Sequence, residues 1–436
     1  MGVEKPPTVR CTEPEALANL SALLLLCQAG QLRCSATTRR PSAATVRAVA
    51  EVLVAGDFYP DDAIAAFAWP LLLQAGGLAR LDGSRLALTP RGRQALGRPA
   101  HEVVRTIWER WPRHAPIDEL SRVEQIKGQK AASALSAAGP RRHAAVAALA
   151  RCPPGEWIGV NALFQVLRRE PGLTVARSER GLWKLYIVDP EYGSLGYAGY
   201  HDFPVLEGRY VLAVLFEYAA TLGLLDAEYV RPAGARDDFR DMWGADWIDA
   251  LSRYDGLQAV RLTPLGAYAA GLSAEYVPAA PAIQHRGLEV LPNLDVVALD
   301  DLPPGDRLIL DAFAARTSER VWTLSTASIL AAVDAGRAPG ELAAFLSERA
   351  AHGVPPAVRT LLDDVEVRAG RVRDLGLHRV VECADAQVAT LLARDRTLRG
   401  LCTRVGERHL LIDPAGEAKA RAALLKLGYP LGPSFR

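Results

Sequence analysis

The sequence predicts an α+β protein that is mostly helical and has more than one domain. The chain has 436 residues, which exceeds the usual size of one domain, and half of them are hydrophobic, enough for several packed cores. In addition, a pattern of helix, short β-hairpin and capped helix occurs twice in the first two thirds of the chain. We predict domains at residues 1–125, 141–275 and 285–436, with a linker rich in Ala, Ser and Gly at 126–140.

The first copy of the pattern lies in residues 71–96. A helix is expected to end at Gly76–Gly77, because glycine readily takes the left-handed conformation that closes a last turn. Asp82–Gly83 predicts a two-residue hairpin turn, and Thr89–Pro90 predicts the capped start of the next helix. This order is typical of the end of a winged-helix domain. Upstream helices are expected at residues 15–27, 43–53 and 63–73.

The second copy follows in the middle of the chain. An apolar helix at 210–221 precedes strands expected at 224–230 and 257–262, and Thr263–Pro264 opens the closing helix. Between the strands lie residues 231–256, an enlarged wing in which Asp is interleaved with Arg and Trp. We expect a packed, salt-bridged wing rather than a metal-binding loop. The two copies together predict tandem winged-helix domains.

The third helix of a helix-turn-helix domain is the element that usually enters a DNA groove. In the second copy this helix, at residues 209–218, is almost continuously apolar. A helix that is apolar on all sides is buried. We therefore expect it to contact another domain or a partner protein rather than bases.

The last third of the chain has a different order of predicted elements, in which short strands alternate with capped helices. Ser325 is expected to cap a helix that ends at Gly336. The other expected strands and helices together predict a compact α+β module. Strands are expected at 288–299, 322–324, 371–382 and 401–412, and helices through 315 and at 339–350, 356–370, 384–392 and 414–427.

Several short motifs follow one another in this module. They are Trp322, Leu324, Ser325 and Ser328; Ala332 and Gly336; Glu341, Leu342, Phe345 and Leu346; Pro356 and Val358; and Gly370-Arg371-Val372. In this order they resemble the N-terminal accessory domain of XPB-type helicases, over nearly all of residues 285–436. Ala357 departs from the family, which usually has polar residues there. The resemblance implies an accessory element that contacts DNA or partner subunits.

The sequence lacks the motifs of a helicase motor. It has no Gly-x-x-x-x-Gly-Lys-Ser/Thr phosphate loop, no Asp-Glu-x-His box and no Gly-x-Ser-x-Gly elbow, and its eight histidines lack metal-ligand spacing. We therefore expect a non-catalytic protein without cofactor, metal or small-molecule substrate. Its expected partners are DNA and a separate helicase or other DNA-processing protein. The alternatives are a protein scaffold that binds no DNA, and an enzyme whose site these motifs do not show.

The first candidate DNA-binding residues surround the start of a helix. They are Arg39, Arg40, Ser42, Thr45 and Arg47. Arginines ahead of a helix N-terminus, with hydroxyls in its first turn, suit phosphate binding. The alternative is a solvated loop and a capped helix without a ligand.

A second candidate cluster is basic but interleaved with acids. It consists of Arg359, Arg368, Arg371 and Arg373, and the acids are Asp363, Asp364, Glu366 and Asp374. These arginines could follow a phosphate backbone, or they could form local salt bridges.

A third candidate is an aromatic stretch with several glycines. Trp183, Tyr186, Tyr197 and Tyr200 could stack on unpaired bases. The alternative is that these rings anchor a long loop onto the core.

The net charge and the cysteine pattern do not indicate a particular class of binding partner. The formal net charge is +1, so no overall field draws the chain to nucleic acid or to an anionic membrane. Only residues 1–140 are net basic, with 17 basic and 13 acidic side chains. The sequence has no signal core or membrane-length apolar run, and its six cysteines form no CxxC pair. We expect a bacterial cytoplasmic protein that could associate with the nucleoid.

Overall fold

The structure, a computed structural model, describes residues 6–170, 172–279, 286–369, 371–372 and 376–431. It combines helices with small antiparallel sheets, so the predicted α+β class is confirmed. The chain divides into two compact units, the first ending at Leu362 and the second beginning at Asp363. Among the described residues, no helix is long and apolar enough to cross a bilayer.

The first unit opens with helices and a β-hairpin. They are β1 Thr8–Arg10, α1 Thr12–Gln28, α2 Ala43–Ala50, α3 Ala65–Ala75, β2 Ala79–Asp82, β3 Arg85–Leu88, α4 Pro90–Ala95 and α5 Ala100–His114. Ser42 caps α2 by accepting a hydrogen bond from the Thr45 amide at 3.2 Å. Every residue of α3 except Gln74 is buried. Gly83, with a φ of 58°, forms the turn of the predicted hairpin, which is confirmed.

The middle of the chain surrounds a long buried helix. Its elements are β4 Ile126–Lys127, α6 Ala138–Leu149, β5 Trp157–Gly159, α7 Val160–Leu167, α8 Glu179–Leu182, β6 Tyr186–Ile187, α9 Arg209–Ala213, β7 Leu225–Tyr229, β8 Leu257–Leu262 and α10 Pro264–Ala269. Two π-helical segments, Pro204–Gly208 and Val214–Ala220, flank α9 directly. We call these three consecutive segments the central helix.

The regions predicted as separate winged-helix domains share one hydrophobic core. Phe216 of the central helix lies 4.7 Å from Phe58, between ring centroids. Strand β1 joins the sheet of the second region, in the order β1-β7-β8-β5. The predicted linker is itself structured, because β4 pairs with β6 and Ala134 is fully buried. Residues 126–140 therefore do not separate two independent cores.

The junction between the first hairpin and its closing helix depends on Thr89. Its Oγ1 donates a hydrogen bond to Gly77 O at 2.7 Å and accepts one from the Gly92 amide at 3.1 Å. The backbone of Gly92 packs on a carbonyl, because a Cβ added there would lie 2.0 Å from Leu78 O. Helix α4 thus begins at a fixed position against the end of α3.

The second junction repeats this construction. Thr263 Oγ1 donates to Gly223 O at 2.7 Å and accepts from the Gly266 amide at 2.9 Å. A Cβ on Gly266 would lie 2.1 Å from Leu224 O. The predicted internal repeat is therefore present in three dimensions.

The rest of the first unit forms a sheet with the order β11-β12-β10-β9 and the helices that pack on it. Its elements are β9 Leu288–Val290, β10 Asp295–Ala298, α11 Pro304–Phe313, β11 Ala314–Arg316, β12 Val321–Leu324, α12 Thr326–Asp334 and α13 Pro339–Arg349. Helix α14, Pro356–Ala369, begins in the first unit and ends in the second. The strand predicted at 288–299 is a hairpin, because Leu294 adopts a φ of 73° and turns the chain. The predicted cap of α12 is confirmed as a capping box of Ser325 and Ser328.

The second unit is a small sheet covered by helices. Its elements are β13 Arg379–Glu382, α15 Ala386–Arg394, β14 Cys402–Val405, β15 His409–Ile412 and α16 Glu417–Lys426, and the strand order is β13-β15-β14. Leu392, Leu410, Ile412 and Leu424 form part of its core. The strand predicted at 401–412 is also a hairpin, which turns at Gly406 with a φ of 63°.

Candidate nucleic-acid interface

The segment before α2 completes a small sheet with the first hairpin. The Cys34 amide donates to Ser84 O at 2.8 Å. Leu32 and Cys34 are buried, and alternate residues of a strand face opposite sides, so Arg33 faces solvent. Its antiparallel partner across the bridge is Arg85, which is also exposed.

The predicted site begins in a tight loop at residues 35–40. The Ser35 amide donates to Arg40 O at 2.8 Å, and the Arg39 amide donates to Ser35 O at 2.9 Å. Arg39 is exposed in this loop, with a φ of 63°. Arg40 instead donates to Ser121 Oγ at 2.8 Å and to Ser121 O at 3.0 Å. Arg39 is therefore available to a ligand, whereas Arg40 holds the loop to the core.

The hydroxyls predicted to bind phosphate have structural roles. Thr45 is 1% exposed, and its Oγ1 accepts from the Arg33 amide at 2.7 Å and donates to Arg33 O at 2.8 Å. Ser42 is the cap of α2. Both hydroxyls therefore stabilise the start of the helix, while Arg47 on α2 is exposed.

We call the exposed arginines on this sheet and beside it the arginine surface. Its members are Arg33, Arg39, Arg47, Arg80 and Arg85. None forms an ion pair with a carboxylate in the parts of the chain that the structure describes. Arg80 and Arg85 are exposed on the hairpin, where the facing pair Leu81 and Leu86 takes the inward positions.

Sequence reasoning identified Arg39 and Arg47 but missed the other three members of the arginine surface. A signal was present, because each missed arginine stands beside an inward-facing apolar residue in a short strand. In such a strand the polar residue takes the solvent side. Asp82 is the nearest acid by register, opposite Arg85.

Two thiols lie beneath the arginine surface. Burial raises the pKa of Cys34 to about 11. Burial also raises the pKa of Cys27 to about 12, with a further contribution from Cys34 and an opposing one from Arg85. The thiolate is the nucleophilic form of cysteine. Because both thiols are protonated and buried, we interpret Cys27 and Cys34 as packing residues.

Neither third helix is free to enter a DNA groove. The burial predicted for residues 209–218 is confirmed, and the helix packs within the protein itself. Glu217 Oε2 lies 2.9 Å from Arg122 Nε, and burial raises the pKa of Glu217 while Arg122 opposes the increase. Helix α3 is buried in the same way.

The second predicted basic cluster is only partly free. Arg359 and Arg371 are exposed. Arg368 forms an ion pair with Asp364 at 2.7 Å, one helical turn away. Arg373 lies outside the described residues. For Arg368 the interpretation as a local salt bridge is therefore confirmed.

The aromatic candidates largely come together. The Trp183 and Tyr197 ring centroids are 5.0 Å apart, and those of Tyr197 and Tyr200 are 5.8 Å apart. Tyr186 instead lies in β6, paired with Lys127 of β4.

The rings continue onto the enlarged wing. The Trp243 amide donates to the Tyr200 hydroxyl at 3.0 Å, and the Trp243 ring lies 5.2 Å from Tyr192. We call Trp183, Tyr192, Tyr197, Trp243 and Trp247, which follows Trp243 by four positions in the wing, the aromatic surface.

The wing is salt-bridged as predicted, but its tryptophans do not pack inside. Arg236 Nε lies 2.9 Å from Asp238 Oδ2. Phe239 and Met242 fill the interior, whereas Trp243 is 50% exposed and Trp247 92% exposed. Within the described residues, no group of three or more His, Cys, Asp or Glu side chains is placed to hold a metal.

Comparison with known families finds a match in the last third of the chain. The model of a family described as "Helicase conserved C-terminal domain" matches residues 290–406, roughly a quarter of the chain. The match begins at the last residue of β9 and ends just after β14, so it includes α11 to α15 but not α16. A helicase-associated domain therefore occupies this part of the protein. No curated protein matches the chain.

Proposed function

We propose that this chain is a non-catalytic accessory protein that binds DNA through its arginine surface and works beside a separate helicase or other DNA-processing protein. The helicase-associated domain at 290–406 supports the helicase context. The exposed arginines, none of which forms an ion pair with a carboxylate among the described residues, support DNA binding, and they are the observation that carries the proposal. A guanidinium without a carboxylate partner can direct its charge-assisted hydrogen bonds to phosphate oxygens.

We also propose that the first two regions are tandem winged helices and that the last third is an XPB-like accessory domain. The repeated junctions at Thr89 and Thr263 support tandem winged helices, because each joins a hairpin to its closing helix in the same way. The capping box of α12 and the helices α13 and α14 after it supply the order of motifs that resembles XPB-type N-terminal domains. A bacterial, cytoplasmic setting completes the proposal.

DNA binding is tested by fluorescence anisotropy of a labelled duplex at several salt concentrations. Each phosphate contact contributes about 0.9 to the slope of log K against log salt. Replacing Arg39→Glu together with Arg47→Glu should weaken binding roughly tenfold or more and reduce the slope by about 2. Neither side chain forms an ion pair among the described residues, so the fold should persist.

The control changes charge equally at another place in the same region. Arg91→Glu with Arg113→Glu reverses two exposed arginines on α4 and α5 that, like Arg39 and Arg47, form no ion pair among the described residues. If both double variants weaken binding equally, net charge explains the affinity and the arginine surface does not. If the unmodified protein does not bind the duplex, DNA binding is refuted.

The non-catalytic part of the proposal needs a separate measurement. ATP hydrolysis with and without DNA, and incubation with plasmid and Mg²⁺, should show no turnover above background. Robust DNA-stimulated hydrolysis or nicking would refute it.

A second candidate function is a protein scaffold. The burial of α3 and of the central helix favours it, because neither helix can read a groove. Under this alternative the unmodified protein does not bind DNA, and the Arg39→Glu, Arg47→Glu variant retains its protein partners.

A further inference from the structure

The aromatic surface exposes five large aromatic side chains that lie in two segments of the chain, residues 183–197 and 243–247. Trp183, Tyr192, Tyr197 and Trp243 are 48%, 50%, 39% and 50% exposed, and Trp247 is 92% exposed. Large aromatic side chains are normally buried, and exposed clusters of them mark binding sites. Trp and Tyr are also the residues that most often dominate binding energy in protein interfaces.

The rings are held in place by the backbone beneath them. A Cβ on Gly196 would lie 2.3 Å from the Trp183 ring, so the indole packs directly on the glycine. The Tyr197 hydroxyl donates to Glu191 O at 2.8 Å. Asp189 accepts hydrogen bonds from the amides of Glu191 and Tyr192 and so closes the loop. The part of the surface formed by Trp183, Tyr192 and Tyr197 is therefore fixed before any ligand arrives, which lowers the entropy cost of binding.

The charge around these rings is negative. Residues 183–200 carry Lys184, Asp189 and Glu191, a net charge of −1, and the enlarged wing, residues 231–256, carries six Asp and four Arg, a net charge of −2. Lys184 donates to Ala132 O at 2.5 Å. Glu191, Asp241 and Asp246 are exposed and have no ion pair among the described residues. This field repels a phosphate backbone, so the predicted stacking of bases is disfavoured here.

We infer that the aromatic surface is a docking site for an arginine- or lysine-rich segment of a partner protein. Indole and phenol faces attract cations at about 0.5–2 kcal/mol each. Unpaired carboxylates beside them supply the charge-assisted hydrogen bonds that guanidinium groups prefer. This inference goes beyond the proposed function and does not depend on DNA binding, which uses a different set of side chains.

The test measures binding of a fluorescent twelve-residue peptide in which Arg alternates with Ser. A peptide with Glu in place of Arg and a 20-nucleotide oligo-dT serve as competing probes. The Arg peptide should bind in a salt-dependent manner, and the other two probes should not bind at this surface. Absence of Arg-peptide binding to the unmodified protein overturns the inference.

Two variants locate the peptide. Trp247→Ala should weaken its binding several-fold without loss of folding, because that side chain is almost wholly exposed. Asp241→Asn with Asp246→Asn should weaken binding roughly tenfold and flatten the salt dependence. Asp300→Asn with Asp301→Asn is the matched control, since it removes two exposed acids elsewhere and should leave affinity unchanged.

The remaining outcomes separate the competing occupants. Equal losses in the variant and control pairs would show that net charge alone binds the peptide and would overturn the inference. The inference would also be overturned if the protein bound oligo-dT and Trp247→Ala abolished that binding. It would be overturned as well if sedimentation showed self-association that Trp247→Ala abolished. The Arg39→Glu, Arg47→Glu variant should bind the peptide normally, so failure of DNA binding and failure of this inference are distinguishable.

Discussion

At the scale of single residues, buried arginine–carboxylate pairs join parts of the first unit that are far apart in sequence. Arg209 Nη2 lies 3.0 Å from Asp255 Oδ2, and both side chains are fully buried. Arg122 pairs with Glu217, which also accepts a hydrogen bond from the Tyr254 hydroxyl. Removing one member of such a pair leaves an uncompensated buried charge, at a cost of about 3–5 kcal/mol.

The burial of Glu119 predicts that the stability of the first unit depends on pH. Its carboxylate lies 2.8 Å from Arg142 Nε, but burial dominates and raises its pKa from 4.5 to about 7. Between these two values the folded protein holds a proton that the unfolded chain has released. The free energy of unfolding should therefore fall as pH rises through this window, by on the order of 1–3 kcal/mol from this group.

Urea unfolding of the unmodified protein and of Glu119→Gln, measured between pH 5 and 8, tests this expectation. The unmodified protein should lose stability with rising pH more steeply than Glu119→Gln. Glu109→Gln, on the exposed side of α5, should follow the unmodified protein. Identical pH profiles for all three proteins would contradict the role of Glu119.

The residue scale also shows where sequence reasoning about the site stopped. Arg39 and Arg47 are exposed and form no ion pair among the described residues, whereas Arg40, Ser42 and Thr45 bind other parts of the protein. The residue type suits phosphate binding in all five cases. Whether a guanidinium or hydroxyl is already occupied depends on groups such as Ser121, which lies some 80 positions away in sequence.

At the scale of elements, the two threonine junctions carry a testable requirement for glycine. A methyl group on Gly92 or Gly266 would lie about 2 Å from a backbone carbonyl, so the closing helix must move away from the preceding one. Gly92→Ala and Gly266→Ala should each lower the free energy of unfolding by about 1–3 kcal/mol or more. Thermal and urea unfolding measure this loss.

Gly97→Ala is the matched control in the same region. A Cβ there would come no closer than 3.9 Å to Gln94 O, an ordinary contact. The control should be neutral. If Gly92→Ala is as stable as Gly97→Ala, the junction does not need its glycine and the structural basis of the repeat is wrong.

Elements were predictable where their signals are local. Caps, hairpin turns and glycine ends lie within a few residues of the structure they determine, and Ser42, Gly83, Thr89 and Ser325 are found as expected. The hairpin at 288–298 was missed, because its turn places a leucine in the left-handed conformation that usually marks glycine.

At the scale of the whole molecule, the shared core makes the first two regions one folding unit. Phe58, Trp111 and Arg122 of the first region contact Phe216, Tyr218 and Glu217 of the central helix. Strand β1 pairs with β7 in addition. Residues 1–125 and 141–275, produced separately, should therefore fail to fold, since each exposes the apolar surface that the other covers.

Near-ultraviolet circular dichroism and urea unfolding of the two fragments and of the full chain test this expectation. The full chain should show a cooperative transition, and each fragment should lack a native near-ultraviolet spectrum. A fragment of residues 1–125 that unfolds cooperatively would show that the regions are independent domains after all.

The sequence alone determined the α+β class, the repeated hairpin and capped helix, the absence of recognisable motor motifs and the resemblance of the last third to a helicase-associated domain. Each depends on residues that stand close together along the chain. Tertiary structure decided that both third helices are buried, which arginines remain free, and that acids surround the exposed rings. These properties depend on contacts between segments that are distant in sequence. Local residue patterns do not indicate which segments are in contact.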